Sequence, residues 1–120
     1  MDRVKISYFS DALCVWAYVS QIRIDELQAN FGDAVELDYR YFHMFGNVTK
    51  KLETVWKDRG GLPGYRQHVR DVVAKFGHVS LHEQTWVTEV PASSMPAHLF
   101  LCAVRQLETA SRAAPGATGR

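Results

Sequence analysis

The sequence predicts an α/β chain with a strand, a helix and a second strand in its first third, followed by helices alone. Three observations carry this. Residues 4–9, VKISYF, set Val4, Ile6 and Tyr8 against Lys5, Ser7 and Phe9 with the β-branched and aromatic bias of a strand. After SDALC, the residues Trp16, Ser20, Ile24, Leu27 and Phe31 recur at helical spacing, while Gln21, Arg23, Asp25 and Gln28 fall mostly on other faces. AVELDYRYF then alternates Val35, Leu37, Tyr39 and Tyr41 against Glu36, Asp38 and Arg40, the pattern of a strand with one wet face. This order and spacing predict a right-handed βαβ unit.

The boundaries have their own signals. Gly32 sits where a left-handed residue commonly closes a helix. Beyond Phe42, HMFGNVT reads as a loop, and KKLETVWKD as a short amphipathic helix through Leu52, Val55 and Trp56, ended by Gly60-Gly61. In GYRQHVRDVVAKFG the residues Tyr65, Val69, Val72, Val73 and Phe76 share a helical face and Gly77 marks the stop. The last helix, in SSMPAHLFLCAVRQLE, takes Ser94 as N-cap and Pro96 in its first turn. Its run from Leu99 through Cys102 to Leu107 is apolar on nearly every side and calls for burial. The expected organisation is a strand–helix–strand half over 1–45, a helical segment over 46–109 and a disordered Ala-, Gly- and Arg-rich tail over 110–120.

Composition narrows the function classes. At 120 residues, 47% hydrophobic and 22% charged, with a formal charge of +1, the chain is an ordinary globular domain without the basic excess that nucleic acid selects. No apolar run reaches the ~18 residues of a membrane span, and MDRVKISYFS lacks the apolar stretch and cleavage site of a secretory signal. A cytoplasmic protein is expected, with no membrane partner. In that compartment Cys14 and Cys102 rest as thiols unless chemistry recruits them.

Cys14 lies in the turn that opens the first predicted helix, where unpaired backbone N–H groups and the positive end of the helix dipole favour a thiolate, the attacking species in thiol chemistry. The plainer alternative is a small apolar residue tucked beneath the helix. The segment KISYFSDALCVWAYVS, together with YRYFHMFGNV and VPASSMPAHLFLCAVRQLE, resembles the DsbA-like thioredoxin-fold proteins, in particular the FrnE-like and 2-hydroxychromene-2-carboxylate isomerase branch, over about residues 3 to 108. In that family a strand leads through an aspartate to a Cys-Pro-Trp-Cys-Tyr type motif. The resemblance implies a thioredoxin-like fold, thiol–disulfide exchange with Cys14 as nucleophile, and Trp16 shaping the site. It also implies a disulfide-containing protein or glutathione as partner, glutathione being a co-substrate rather than a bound cofactor. In the related kappa-class glutathione transferases a serine stands at that position and assists the glutathione thiol, which makes a glutathione-dependent isomerase or transferase the alternative enzyme.

Two departures from the motif change the chemistry. Ala17 replaces the second cysteine and Val15 the proline, so no disulfide can close within Cys-Val-Trp-Ala, and dithiol oxidase activity is not expected. Cys102, on an apolar helix, is expected to be packed rather than to stand in for the missing thiol. The chain also reads as the N-terminal part of such a fold, without the C-terminal β-hairpin and closing helix. Val90-Pro91 reads as a turn leading into the last helix rather than the proline loop that faces the nucleophile in relatives. A strand edge and the Leu99–Leu107 helix left uncovered make self-association a third, non-catalytic reading.

The other candidates each carry a plain alternative. Asp11 suits the cap of the Cys14 helix or a group that tunes the thiol. His43, where the chain leaves the second strand, suits a hydrogen bond to a thiol or peptide ligand, solvent exposure being the simpler expectation. Asn47 and Ser94 match positions used around glutathione in the isomerase-like relatives. His78 and His82 have the H-x-x-x-H spacing of metal ligands but follow the Gly77 stop, so they read as loop residues and no metal site is expected.

Overall fold

In the computed structural model, which describes residues 2–111, the first and third predicted elements form β1 (Val4–Ser10) and β2 (Val35–Tyr41). They pair in parallel from Val4 opposite Val35 to Ser10 opposite Tyr41. The alternation read from the sequence decides the faces: Ile6 and Tyr8 are half-buried while Lys5, Ser7 and Phe9 face water. Across the pair, Tyr8 and Tyr39 meet edge-on, their centroids 6.0 Å apart. Among the described residues the sheet has these two strands only, so the chain is mixed α/β with a strand–helix–strand unit followed by helices.

The connecting helix α1 (Val15–Phe31) departs from its predicted facing. It buries Val15 and Val19, whereas Trp16 and Phe31 are exposed and Ser20, Ile24 and Leu27 only half-buried. The reason is its neighbour: the first turns of α1 pack into a helical core instead of laying one stripe along the sheet. Gly32 is also not a left-handed stop, since its φ and ψ are −53° and −34°. What it supplies is the lack of a Cβ, which would come within 2.7 Å of the Gln28 carbonyl oxygen. The Ala34 N–H donates to the Phe31 carbonyl at 2.8 Å and turns the chain into β2.

Next come α2 (Val48–Thr54), a 3-10 turn at Lys57–Arg59, and α3 (Gly61–Ala74). Gly60, at φ +94°, makes the expected break. The helix beyond it begins earlier than the periodicity predicts, because Gly64 lets the chain pass where a Cβ would sit 2.0 Å from the Arg59 carbonyl oxygen. It also ends before Gly77, its last carbonyls taken by the N–H groups of Lys75 and Phe76. The predicted face of α3 is the one buried: Tyr65, Val69, Val72 and Val73 join Val15, Val19, Phe45, Val48, Trp56 and Trp86 in a single core. That core spans the proposed 1–45 and 46–109 segments. Tyr65 is its centre, edge-on to Trp86 at 5.0 Å and to Trp56 at 5.1 Å.

The last helix, α4 (Met95–Ala110), has the predicted start, with Ser94 at the N-cap position and Pro96 in the first turn. Its burial is not as expected: His98 is its buried residue, the Leu99–Leu107 run lies largely open, and Cys102 is exposed rather than packed. Of the predicted tail, Ala110 belongs to this helix and residues 112–120 lie outside the described residues. No helix among the described residues is long and apolar enough to cross a membrane.

Candidate active site

Cys14 occupies the N-cap position of α1, in extended backbone (φ −80°, ψ 118°), with its side chain half-buried. Asp11 builds the turn that holds it. The Asp11 carbonyl accepts the Cys14 N–H at 3.0 Å, and its Oδ1 accepts the Leu13 N–H at 2.8 Å. Asp11 thus does not cap α1 itself; it fixes the three residues before the helix.

The same carboxylate organises a buried polar knot. Oδ2 accepts the Phe45 N–H at 2.9 Å and the Ser94 hydroxyl at 2.9 Å, and Asp11 and Ser94 are both buried. Ser94 caps nothing with its side chain, contrary to the sequence expectation, because its hydroxyl is drawn to Asp11. One turn on, His98 Nε2 accepts the Ala12 N–H at 2.9 Å, which assigns the proton of the neutral ring to Nδ1. Nδ1 faces His43 Nδ1 at 2.9 Å, so His98 donates and His43 keeps its own proton on Nε2. Tyr41 stacks on His98 at 4.6 Å. Burial lowers the His98 pKa from the usual histidine range, with Asp11 opposing the shift and His43 adding to it. The 3.7 Å separation of His98 Nε2 from Asp11 Oδ1 is therefore not an ion pair while the ring is neutral.

On its other side Cys14 lines a cavity of about 310 Å³ whose walls include Leu13, Tyr18, Val69, Trp86 and Pro91. That volume is at the small end of ligand pockets. Two wall residues, Trp86 (φ 60°) and Glu89 (φ 49°), adopt left-handed backbone that non-glycine residues seldom take. Trp86 is held there by Tyr65 and by Arg66 Nε, which donates to its carbonyl at 2.9 Å. Two phenols lie within electrostatic reach of the thiol. Burial, and then the negative charge of a Cys14 thiolate, raise the pKa of both; Asp11 adds to the rise at Tyr65 and Tyr39 to that at Tyr8. Both phenols therefore stay protonated at neutral pH.

Of the residues singled out from the sequence, the structure brings Asp11, Val15 and Cys14 together, with Ala17 half-buried in the first turn of α1. Trp16 instead packs edge-on against Phe76 at 6.2 Å. His43 is exposed, with one ring nitrogen on His98. Asn47 caps α2 by accepting the Lys50 N–H at 3.0 Å, and the buried Ser94 offers no open surface to a ligand. His78 and His82 are loop residues as read: His78 Nε2 meets the Val19 carbonyl at 2.9 Å and His82 Nδ1 accepts the Gln84 N–H at 3.1 Å. The sequence reading missed His98, Tyr65 and Pro91. His98 had a signal, being polar within an apolar run; Tyr65 and Pro91 read as core and turn, and only the fold turns them toward Cys14.

Compared with family models, curated proteins and solved structures, the chain matches none. What fold and site define is a mixed α/β chain carrying one half-buried cysteine at the N-terminus of its longest helix, beside a small cavity.

Proposed function

We propose that this chain carries out monothiol–disulfide exchange at Cys14, in the manner of the DsbA-like thioredoxin-fold proteins it resembles. The observation that supports this best is the position of Cys14, at the N-cap of α1 and open to a cavity. The Cys14 thiolate attacks one sulfur of a disulfide; a new S–S bond forms, the old one breaks, and the other sulfur leaves as a thiolate that takes up a proton from water. With Ala17 three residues on, no thiol in the motif displaces the adduct, so a second external thiol must release it. Oxidised glutathione is the simplest substrate of this kind.

The test is reaction with oxidised glutathione followed by peptide mass mapping. A glutathionyl adduct should form on Cys14 faster than on Cys102, which is exposed but lies in mid-helix without the N-terminal N–H groups. Equal rates at the two cysteines, or a Cys14→Ser variant that consumes glutathione disulfide as fast as the parent, would refute the proposal.

A further inference from the structure

We propose that the cavity beside Cys14 selects small disulfides whose substituent is apolar and carries no anionic group, an amine being admitted at Glu89, so that glutathione disulfide reacts but is a poor member of the substrate class. This rests on thiol–disulfide exchange at Cys14 and adds what the thiol exchanges with. Most of the wall is hydrocarbon: Leu13 and Val15 on either side of Cys14 in the chain, Val69 from α3, and Leu81, Trp86 and Pro91 from the segment between α3 and α4. Tyr18 brings its ring rather than its hydroxyl, which donates to the Ser80 carbonyl at 2.6 Å and accepts the Ser80 N–H at 3.3 Å. Such a wall gains from an apolar occupant that takes its surface from water. The cavity's volume of about 310 Å³ corresponds to about ten water molecules, room for a benzyl or branched alkyl group.

Charge sets the second criterion. Among the described residues of the wall Glu89 is the one ionised side chain, and none is Lys, Arg or His. The guanidinium groups nearby are turned to the backbone: Arg66 Nε donates to the Trp86 carbonyl at 2.9 Å and Arg70 Nη2 to that of Glu83 at 3.0 Å. The N-terminus of α1 supplies about half a positive charge, less than the full negative charge of the Cys14 thiolate beside it. The reactive site is therefore net negative, and a carboxylate carried in on a substituent is repelled by Cys14 and by Glu89 together. Each glutathionyl group carries two carboxylates against a single ammonium. The residues matching glutathione positions do not answer them, since Asn47 is engaged in capping α2 and Ser94 is buried against Asp11.

The test uses methanethiosulfonates, which share a leaving group and differ in the substituent. The Cys14 thiolate attacks the divalent sulfur, an S–S bond to the substituent forms, the bond to the sulfonyl sulfur breaks, and methanesulfinate departs. Rates at Cys14 are read by peptide mass mapping for benzyl, aminoethyl and sulfonatoethyl reagents at low ionic strength, each divided by the rate of the same reagent with N-acetylcysteinamide. The benzyl and aminoethyl rates should each exceed the sulfonatoethyl rate at least about fivefold, and the aminoethyl lead should shrink in high salt. Glu89→Gln should lower the aminoethyl-to-sulfonatoethyl ratio at least about twofold, and Glu89→Lys further. Glu26→Gln, at an exposed carboxylate about three turns along α1, should leave that ratio as in the parent. If Cys14 outpaces Cys102 but the sulfonatoethyl reagent keeps pace with either of the others, or the ratio ignores Glu89→Gln, the selectivity is refuted and the exchange reaction stands. If Cys14 is no faster than Cys102 with any of the reagents, both are refuted.

Discussion

Replacing Asp11 by alanine should destabilise the fold more than any other single polar truncation at this site. The carboxylate accepts three hydrogen bonds, from Leu13 N–H, Phe45 N–H and the Ser94 hydroxyl, and it has almost no contact with water. Leu13 is half-buried, so water can reach its N–H once the carboxylate is gone. The donors of Phe45 and Ser94 are in buried residues and would be left without a partner, at about 1–3 kcal/mol each. Part of this is offset because a buried charge no longer has to be desolvated, so the expected loss is about 2–5 kcal/mol. Asparagine keeps one acceptor oxygen but sets an NH2 group against a donor, so Asp11→Asn should fall between alanine and the parent. Urea unfolding followed by tryptophan fluorescence measures all three, since Trp56 and Trp86 are both buried. A double-mutant cycle with Ser94→Ala should show coupling of about 1 kcal/mol or more. If Asp11→Ala cost less than about 1 kcal/mol, the carboxylate would not be what holds the Cys14 turn, the loop after β2 and the start of α4 together.

Three further outcomes follow from the site. Because the folded-state pKa of His98 is lowered, its contribution to stability is present above the unfolded histidine value near 6.5 and lost as pH falls from there toward the depressed folded value. Urea midpoints should therefore drop below about pH 6.5, and a His98→Gln variant, weaker overall, should lose that slope; an unchanged slope would remove His98 as its source. Ala17→Cys should allow a disulfide between Cys14 and the introduced thiol in the first turn of α1, read as loss of two free thiols under mild oxidant without dimeric product, whereas two persistent thiols would mean the turn cannot reach disulfide geometry. Pre-reaction of Cys14 with a small maleimide should slow iodide quenching of Trp86, which shares the cavity wall, and leave Trp16 quenching as before; no change would place the thiol outside the cavity.

The strand–helix–strand unit was legible because period-two alternation in VKISYF and AVELDYRYF is read directly by a sheet with one drier face. The inward face of α3 was legible for the same reason, its apolar residues all meeting one core. What failed were judgements that depend on a neighbour rather than a period. The spacing from Trp16 to Phe31 does not mark the buried face: α1 buries Val15 and Val19 because its first turns join a core with Val69, Val72 and Val73 of α3 and with Phe45 and Trp86, which local spacing cannot reveal. Neither Gly32 nor Gly77 has positive φ, so Gly32 is not the left-handed stop its position suggests and answers instead to a close carbonyl. At the site, Asp11 and Cys14 were legible, being adjacent in sequence. His98, 84 residues beyond Cys14, and Tyr65 reach the turn only through the fold.

The apolar count of the last helix concealed its direction. Leu99, Phe100, Leu101, Cys102, Ala103 and Val104 in succession look apolar all round, which is the signature of a buried helix, yet the few polar residues interrupting the pattern are the ones that face the chain. Ser94, His98 and Arg105 are spaced to lie on one side, and each has a partner there: Asp11, the His43–Ala12 pair and Asp38. A helix held by hydrogen bonds gains orientation from them and little of the burial that drives ordinary packing, since the net stabilisation of each such bond is about 1 kcal/mol against roughly 1.5–3 kcal/mol for each large apolar side chain taken from water. The anchors therefore fix how the helix is turned and leave its large apolar residues Leu99, Phe100 and Leu107 exposed. The same buried carboxylate that aligns the start of α4 also shapes the turn presenting Cys14, so a change at Asp11 should lower the urea midpoint and slow adduct formation at Cys14 together, and a variant that lost stability while keeping the parent's rate at Cys14 would show that the turn does not depend on this group.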